Sequence, residues 1–184
     1  MKFCSNCGAP VSRRIPPGDS LPRYVCDACH TIHYQNPKMV VGCIPEWEDR
    51  ILLCRRAIEP RYGLWTLPAG FMENSETAAE AAARETREEA EAQVEIGTLF
   101  SLYNLPHINQ VYLLFRGRLL NLAYAPGTES LEVALFHEAE IPWERLAFPV
   151  IQHTLHHFFD DRRRGHYHLH IGDITAATSS GRSG

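Results

Sequence analysis

No stretch of this chain is long and apolar enough to approach a membrane span, no segment of it repeats, and basic residues are not in excess. The first absence excludes a helical membrane protein and the second a solenoid or propeller. The third, 18 Lys and Arg against 22 Asp and Glu for a net charge of −4, disfavours nucleic acid as the main partner. An apolar leader is also missing from Met1-Lys2-Phe3-Cys4, so a reducing, cytoplasmic setting is expected for the six cysteines. What remains, 45% hydrophobic and 22% charged over 184 residues, suits a globular protein with one full core and a small second module.

Four of the cysteines fall as Cys4-x2-Cys7-x18-Cys26-x2-Cys29, two knuckles separated by a polar loop rich in proline and glycine. This is the spacing of a zinc ribbon, and four thiolates leave no coordination position for substrate or water, so the expected zinc is structural. Two disulfides are the competing reading, disfavoured by the expected compartment. His30 and His33 follow the second knuckle, but four cysteines make a Cys3His site unnecessary. Cys43 and Cys54 lie in apolar, strand-like segments and read as small buried hydrophobes.

From Gly70 to Ala92 the chain reads Gly-x5-Glu-x7-Arg-Glu-x2-Glu-Glu-x2-Ala. On a helix Glu85, Glu88 and Glu89 stand at i, i+3 and i+4 and share a face. Like charges at that spacing oppose one another by roughly 0.2–0.5 kcal/mol per pair in water, and by more where water is excluded. A hard divalent cation turns that repulsion into ligation. Ala78, Ala81, Ala82 and Ala92 continue the face with short side chains, and Ala79, Ala83, Thr86 and Ala90 form a second stripe suited to packing. Glu76, Glu80, Arg84, Arg87 and Glu91 are expected on a charged outer flank. From there Arg84 can pair with a carboxylate of the cation site and hold its rotamer. Asn74 or Ser75 is the expected N-cap, and Gly70, at a turn after Leu64-Trp65-Thr66-Leu67-Pro68-Ala69, can offer its carbonyl to the cation.

Along the rest of the chain, residues 1–35 form the ribbon module, 36–175 the main domain and 176–184 a small, polar, flexible tail. Lys38 to Pro45 and Arg50 to Arg56 outline a hairpin. Val94 to Leu105, Gln110 to Leu120 and Leu131 to His137 have strand composition, and Pro149 to Arg163 has helical spacing of Val150, Ile151, Leu155, Phe158 and Phe159. Mixed strands with two helices indicate α/β. Arg162-Arg163-Arg164, at a helix end, suits the helix dipole better than phosphate recognition. In His166-Tyr167-His168-Leu169-His170-Ile171 strict alternation puts three histidines on one strand face. A solvent-facing edge, a dimer contact and a second metal site are the alternatives there.

The acidic constellation resembles the Nudix box of the Nudix hydrolases, Gly-x5-Glu-x7-Arg-Glu-U-x-Glu-Glu-x-Gly-U with U aliphatic. Every charged position is filled; Thr86 replaces an aliphatic residue, and Glu91 replaces the closing glycine, so a longer or differently closed helix is expected. The resemblance implies an α/β/α sandwich with a mixed sheet. It implies Mg2+ or Mn2+ on Glu85, Glu88, Glu89 and the Gly70 carbonyl, and a pyrophosphatase that cuts the diphosphate of a nucleoside diphosphate derivative. The resemblance implies a base that activates water either in the box, where Glu88 is the first choice, or on a later loop, where Glu129 and Glu132 are the alternatives.

A zinc ribbon before such a domain resembles two groups, the bacterial NADH pyrophosphatases and a set that includes the plant plastid FAD pyrophosphohydrolase. The Ser-Gln-Pro-Trp-Pro-Phe-Pro stretch of the former is absent from Ser101 to Gln110. Tyr34 to Cys43, Gly63 to Gly70 and Ala125 to Glu132 resemble the latter, which implies FAD or ADP-ribose as substrate, release of AMP with FMN or ribose 5-phosphate, and a dimer. For such a substrate Tyr62, Trp65, Phe71 and Tyr103 are available to stack a ring and Arg55, Arg56 and Arg61 to meet phosphate. Trp65 and Phe71 read equally as core and Arg55 as a strand-end surface residue. NADH cleavage and, outside enzymes, ligand sensing by a Nudix-like regulator are the alternatives. Triphosphate sanitation and cap hydrolysis fit less well.

Overall fold

The computed structural model describes residues 1–175; the expected tail, 176–184, lies outside them. The chain separates into two compact units, Met1–Pro37 and a second beginning at Lys38.

In the first unit β1 (Val11–Arg14), β2 (Arg23–Cys26) and β3 (Ile32–His33) pair as a three-stranded antiparallel sheet. The two knuckles fold alike. Gly8 N–H donates to the Cys4 carbonyl and His30 N–H to the Cys26 carbonyl, and both Gly8 (φ 76°) and His30 (φ 60°) are left-handed.

The second unit is a mixed eight-stranded sheet between two helices. Its strands are β4 (Lys38–Trp47), β5 (Arg50–Arg56), β6 (Trp65–Thr66), β7 (Ala69–Phe71), β8 (Val94–Leu105), β9 (Gln110–Leu119), β10 (Ser130–Phe136) and β11 (His170–Asp173). The spatial order is β10-β5-β4-β9-β8-β11, with β6 on β5 and β7 on β4; β4–β9 and β8–β11 are parallel, the other pairs antiparallel. Period-2 alternation sorts the side chains into two layers. Val40, Ile44, Ile51, Leu53, Tyr112 and Leu114 face α2 (Pro149–Arg164), while Val41, Cys43, Leu52, Cys54, Leu113 and Phe115 face α1 (Ala78–Ala90). The sandwich is therefore α/β/α, with its larger core on the α2 side.

Cys43 and Cys54 are fully buried, and burial pushes the Cys43 thiol up to about 12, so both act as inert packing groups. Arg162 donates to the Asp49 carbonyl, and Arg163 pairs with Glu138 and Asp160, so two of the three arginines at the end of α2 are occupied by acceptors. The strand expected over His166–Ile171 begins only at His170. Asp161, on α2, takes the His168 N–H and its backbone carbonyl takes the His166 N–H, which holds this stretch on the helix end.

Candidate active site

Helix α1 starts later than expected. Ser75 is left-handed (φ 69°) and the Glu73 N–H is taken by the Glu76 carboxylate, so 73–76 is a turn and Thr77 is the N-cap. Thr77 Oγ1 accepts from Glu80 N–H and the Glu80 carboxylate accepts from Thr77 N–H, a capping box. The far end closes where a glycine would close it: Glu91 itself adopts φ 49°, and its N–H reaches the Arg87 carbonyl. The helix is thus neither lengthened nor redirected by the missing glycine, at the expense of a left-handed non-glycine residue.

Its buried face is Ala81, Ala82, Glu85, Thr86, Glu89 and Ala90, whereas Ala79 is exposed and does not join a packing stripe. Thr86 satisfies its hydroxyl on the Ala82 carbonyl at 2.8 Å while packing against Cys43. Glu85 sits over Gly70 so closely that a Cβ there would lie 2.3 Å from its Oε2. Glu88 is on the open side, its side chain 57% exposed.

Arg84 is not on an outer flank. Its guanidinium forks onto Glu76 (2.8 and 3.0 Å), bridges Glu85 (2.8 Å) and Glu88 (2.9 Å), and donates to the Phe71 carbonyl at 3.1 Å. All five of its N–H hydrogens have acceptors. It holds Glu76 down at about 2 and is itself held protonated well above the usual arginine range. Glu89 is the opposite case: burial, then the charge of Glu85, pushes it up to about 8. Burial likewise raises Glu85, against the pull of Arg84.

Arg84, Glu85, Glu88 and Glu89 line a cavity of about 1050 Å³ together with Gly70, Phe71, Arg56, Arg61 and Glu129. Glu129 arrives on the 125–129 loop, which caps the end of α1: Ala125 N–H bonds the Ala90 carbonyl and Gly127 N–H the Glu89 carbonyl. A Cβ on Gly127 would lie 1.8 Å from the Glu88 carbonyl oxygen, so this close approach needs glycine.

Several expected residues do not line the cavity. Trp65 and Tyr103 are core, Trp65 edge-on to Phe136 at 5.0 Å. Arg55 and Glu132 pair with each other at 3.5 Å on neighbouring strands, and Tyr62 is exposed beyond the cavity wall. Sequence reasoning missed Tyr112 and Phe148, which line the cavity from β9 and the start of α2. Arg56 lies over the Phe148 ring at 5.1 Å and donates to the Pro60 carbonyl. No motif marks this pair, because apolar residues facing a cavity read the same as core.

Carbonyl and carboxylate oxygens make a hard donor set suited to Mg2+ or Mn2+, and a buried carboxylate that resists ionisation gains from a cation beside it. The glutamates of α1 do not close to within 4.8 Å of one another as a group; among the described residues only the four cysteines and Asp161, His168 and His170 do. In the ribbon the Sγ atoms of Cys4 and Cys29 are 3.7 Å apart and those of Cys7 and Cys26 3.4 Å. Zinc–sulfur bonds of about 2.3 Å in a tetrahedron fit such separations, whereas a disulfide needs about 2.05 Å. His33 Nε2 lies 3.3 Å from Cys4 Sγ, an outer partner to the sulfur and no substitute for it.

Residues 2–35 match the family model of the zinc ribbon described as Nudix N-terminal, and residues 36–158 that of the NUDIX domain. A crystal structure of a NUDIX hydrolase from Nitrosomonas europaea is 61% identical, covers 96% of this chain and 100% of its own, and superposes with a TM-score of 0.93. The ADP-ribose pyrophosphatase of Methanocaldococcus jannaschii is 37% identical over 40% of this chain and 43% of its own length. The NAD-capped RNA hydrolase NudC of Stutzerimonas stutzeri is 29% identical over 77% of this chain and 50% of its own. The matches thus span half or less of these two curated relatives. With its zinc-ribbon module, its α/β/α sandwich and the acidic helix facing a cavity, this chain belongs to the Nudix hydrolase family.

Proposed function

We propose that this protein is a divalent-cation-dependent pyrophosphatase that hydrolyses the diphosphate of ADP-ribose or FAD, releasing AMP with ribose 5-phosphate or FMN. The observation that carries the reading is one cavity with three chemistries on its walls. Gly70, Glu85, Glu88 and Glu89 can hold Mg2+ or Mn2+, Arg56 and Arg61 can meet phosphate charge, and Phe71, Tyr112 and Phe148 can receive a flat ring. A volume of about 1050 Å³ has room for a dinucleotide-sized ligand.

The cation, when bound, neutralises diphosphate charge and acidifies the attacking water. Arg84 fixes the carboxylates, and its fork on Glu76 leaves that guanidinium no freedom to leave them. Glu88 and Glu129 are the two candidate bases on the cavity wall; Glu132, tied to Arg55, is not. Relatives named for ADP-ribose and for NAD-capped RNA support a nucleoside diphosphate substrate without choosing among such substrates.

The test is product analysis after incubation with Mg2+ or Mn2+ and, in turn, FAD, ADP-ribose, NADH and nucleoside triphosphates, beside a Glu89→Gln control. AMP with FMN or ribose 5-phosphate, lost in the control, is expected. Cleavage of NADH alone would move the substrate, and tight binding of ADP-ribose or FAD without turnover would replace the enzyme by a sensor.

A further inference from the structure

Away from the acidic helix, the end of α2 and the start of β11 bring together a cluster that hydrolysis does not use. Asp161 is 1% exposed although charged. His170 Nε2 lies 2.8 Å from its Oδ2, and His168 Nδ1 lies 3.2 Å from the same oxygen. The three ligand atoms all fall within 4.8 Å of one another, a closeness shared among the described residues only by the ribbon cysteines. The rings are also braced. His157, one turn before Asp161 on α2, stacks on His170 with centroids 4.1 Å apart, Phe100 flanks His170 at 5.0 Å, and the His168 ring lies 4.0 Å from that of His170.

We infer that Asp161, His168 and His170 form a second metal site, for a divalent transition cation of the zinc class. Two imidazoles and one carboxylate are the donors such ions prefer, and unlike the oxygen set of α1 they do not favour magnesium. Bonds of about 2.0–2.2 Å in a tetrahedron set ligand atoms roughly 3.3–3.6 Å apart, so the 3.2 Å contact is nearly at that spacing and the 2.8 Å contact opens by roughly 0.5–0.8 Å as the ion enters between the groups. His168 is half exposed, which gives an ion its entry and leaves its remaining coordination position to water. Binding uses one lone pair from each neutral ring, with the ring proton on its other nitrogen, so the ion displaces the two imidazole contacts to Asp161 and takes the carboxylate itself. The bound ion joins α2 to β11. That strand leads to Ile174, whose N–H bonds the Asn104 carbonyl and which, with Thr175, lines the cavity.

The test uses the tag-free full chain with one zinc per chain already in the ribbon and magnesium in excess. Zn2+ is titrated in competition with a chromophoric chelator, and Cu2+ is added separately for electron paramagnetic resonance. A second zinc equivalent is expected in the unmodified protein and in Glu89→Gln, with nitrogen coupling from two imidazoles on copper. The equivalent should vanish in His168→Ala, whose exposed ring can be removed without disturbing the fold, and persist in His166→Ala. Absence of the second equivalent would overturn the site, leaving Asp161 as a hydrogen-bonding anchor only. Equal losses in His166→Ala and His168→Ala would also overturn it, in favour of diffuse binding by a histidine-rich surface.

Discussion

Arg84 and Glu89 carry the two electrostatic extremes of the cavity. One is an arginine with every donor engaged, and the other a carboxylate whose burial and neighbour Glu85 push it up to about 8. Arg84→Lys keeps the charge but loses the planar fork to Glu76 and the bridge between Glu85 and Glu88. Its turnover is expected to fall about 10- to 100-fold, with a higher cation requirement, measured from rate against Mg2+ concentration. For Glu89 the sign follows from linkage. The folded protein keeps a proton that an unfolded glutamate loses near 4.5, so this group's contribution to stability is fully present below about 4.5 and is lost as pH rises through about 8. Metal-free protein should therefore lose melting temperature over that interval, and excess Mg2+ should restore it at the alkaline end. Glu89→Gln should flatten the metal-free profile. A metal-free slope unchanged in that variant would show that Glu89 ionises normally.

At the scale of elements, the join between the end of α1 and the 125–129 loop decides whether Glu129 faces the cavity. The Ala90 and Glu89 carbonyls, which have no partners within the helix, are taken by Ala125 and Gly127. Gly127→Ala must push the loop off the helix end and is expected to cost about 1–3 kcal/mol in urea unfolding, with a larger proportional loss of turnover. Little of this join was legible in advance. Strands β8, β9 and β10 and helix α2 follow from composition and period, to within a residue or two at their ends. The start of α1 at Thr77 turned on side chain to backbone bonds of Glu73, Glu76 and Glu80, for which the sequence offered Asn74 and Ser75 as equally good caps.

For the whole molecule the division at Pro37 sets the expected response to metal removal. A module of this size buries too little surface to stand without its ion. Applied to protein carrying one zinc per chain, a zinc-selective chelator should expose residues 1–37 to protease. The emission of Trp47, Trp65 and Trp143, all in the second unit, should stay unchanged; its loss would show that the second unit depends on the ribbon zinc.

The chain by itself determined the candidate ligand sets. Cysteine spacing and the positions of Gly70, Arg84, Glu85, Glu88 and Glu89 are local chemistry, carried by one turn geometry or one helical period. Only the tertiary structure decided which rings and cations share the cavity. Trp65, Tyr103, Tyr62 and Arg55 are three aromatic residues and an arginine, as are Phe71, Tyr112, Phe148 and Arg56, and the sheet faces and strand pairings that separate the two sets are non-local. The same holds for Asp161: helical period places it on the buried stripe of α2 with Thr154 and Phe158, but only the return of the chain through His168 into β11 at His170 sets two imidazoles on its carboxylate.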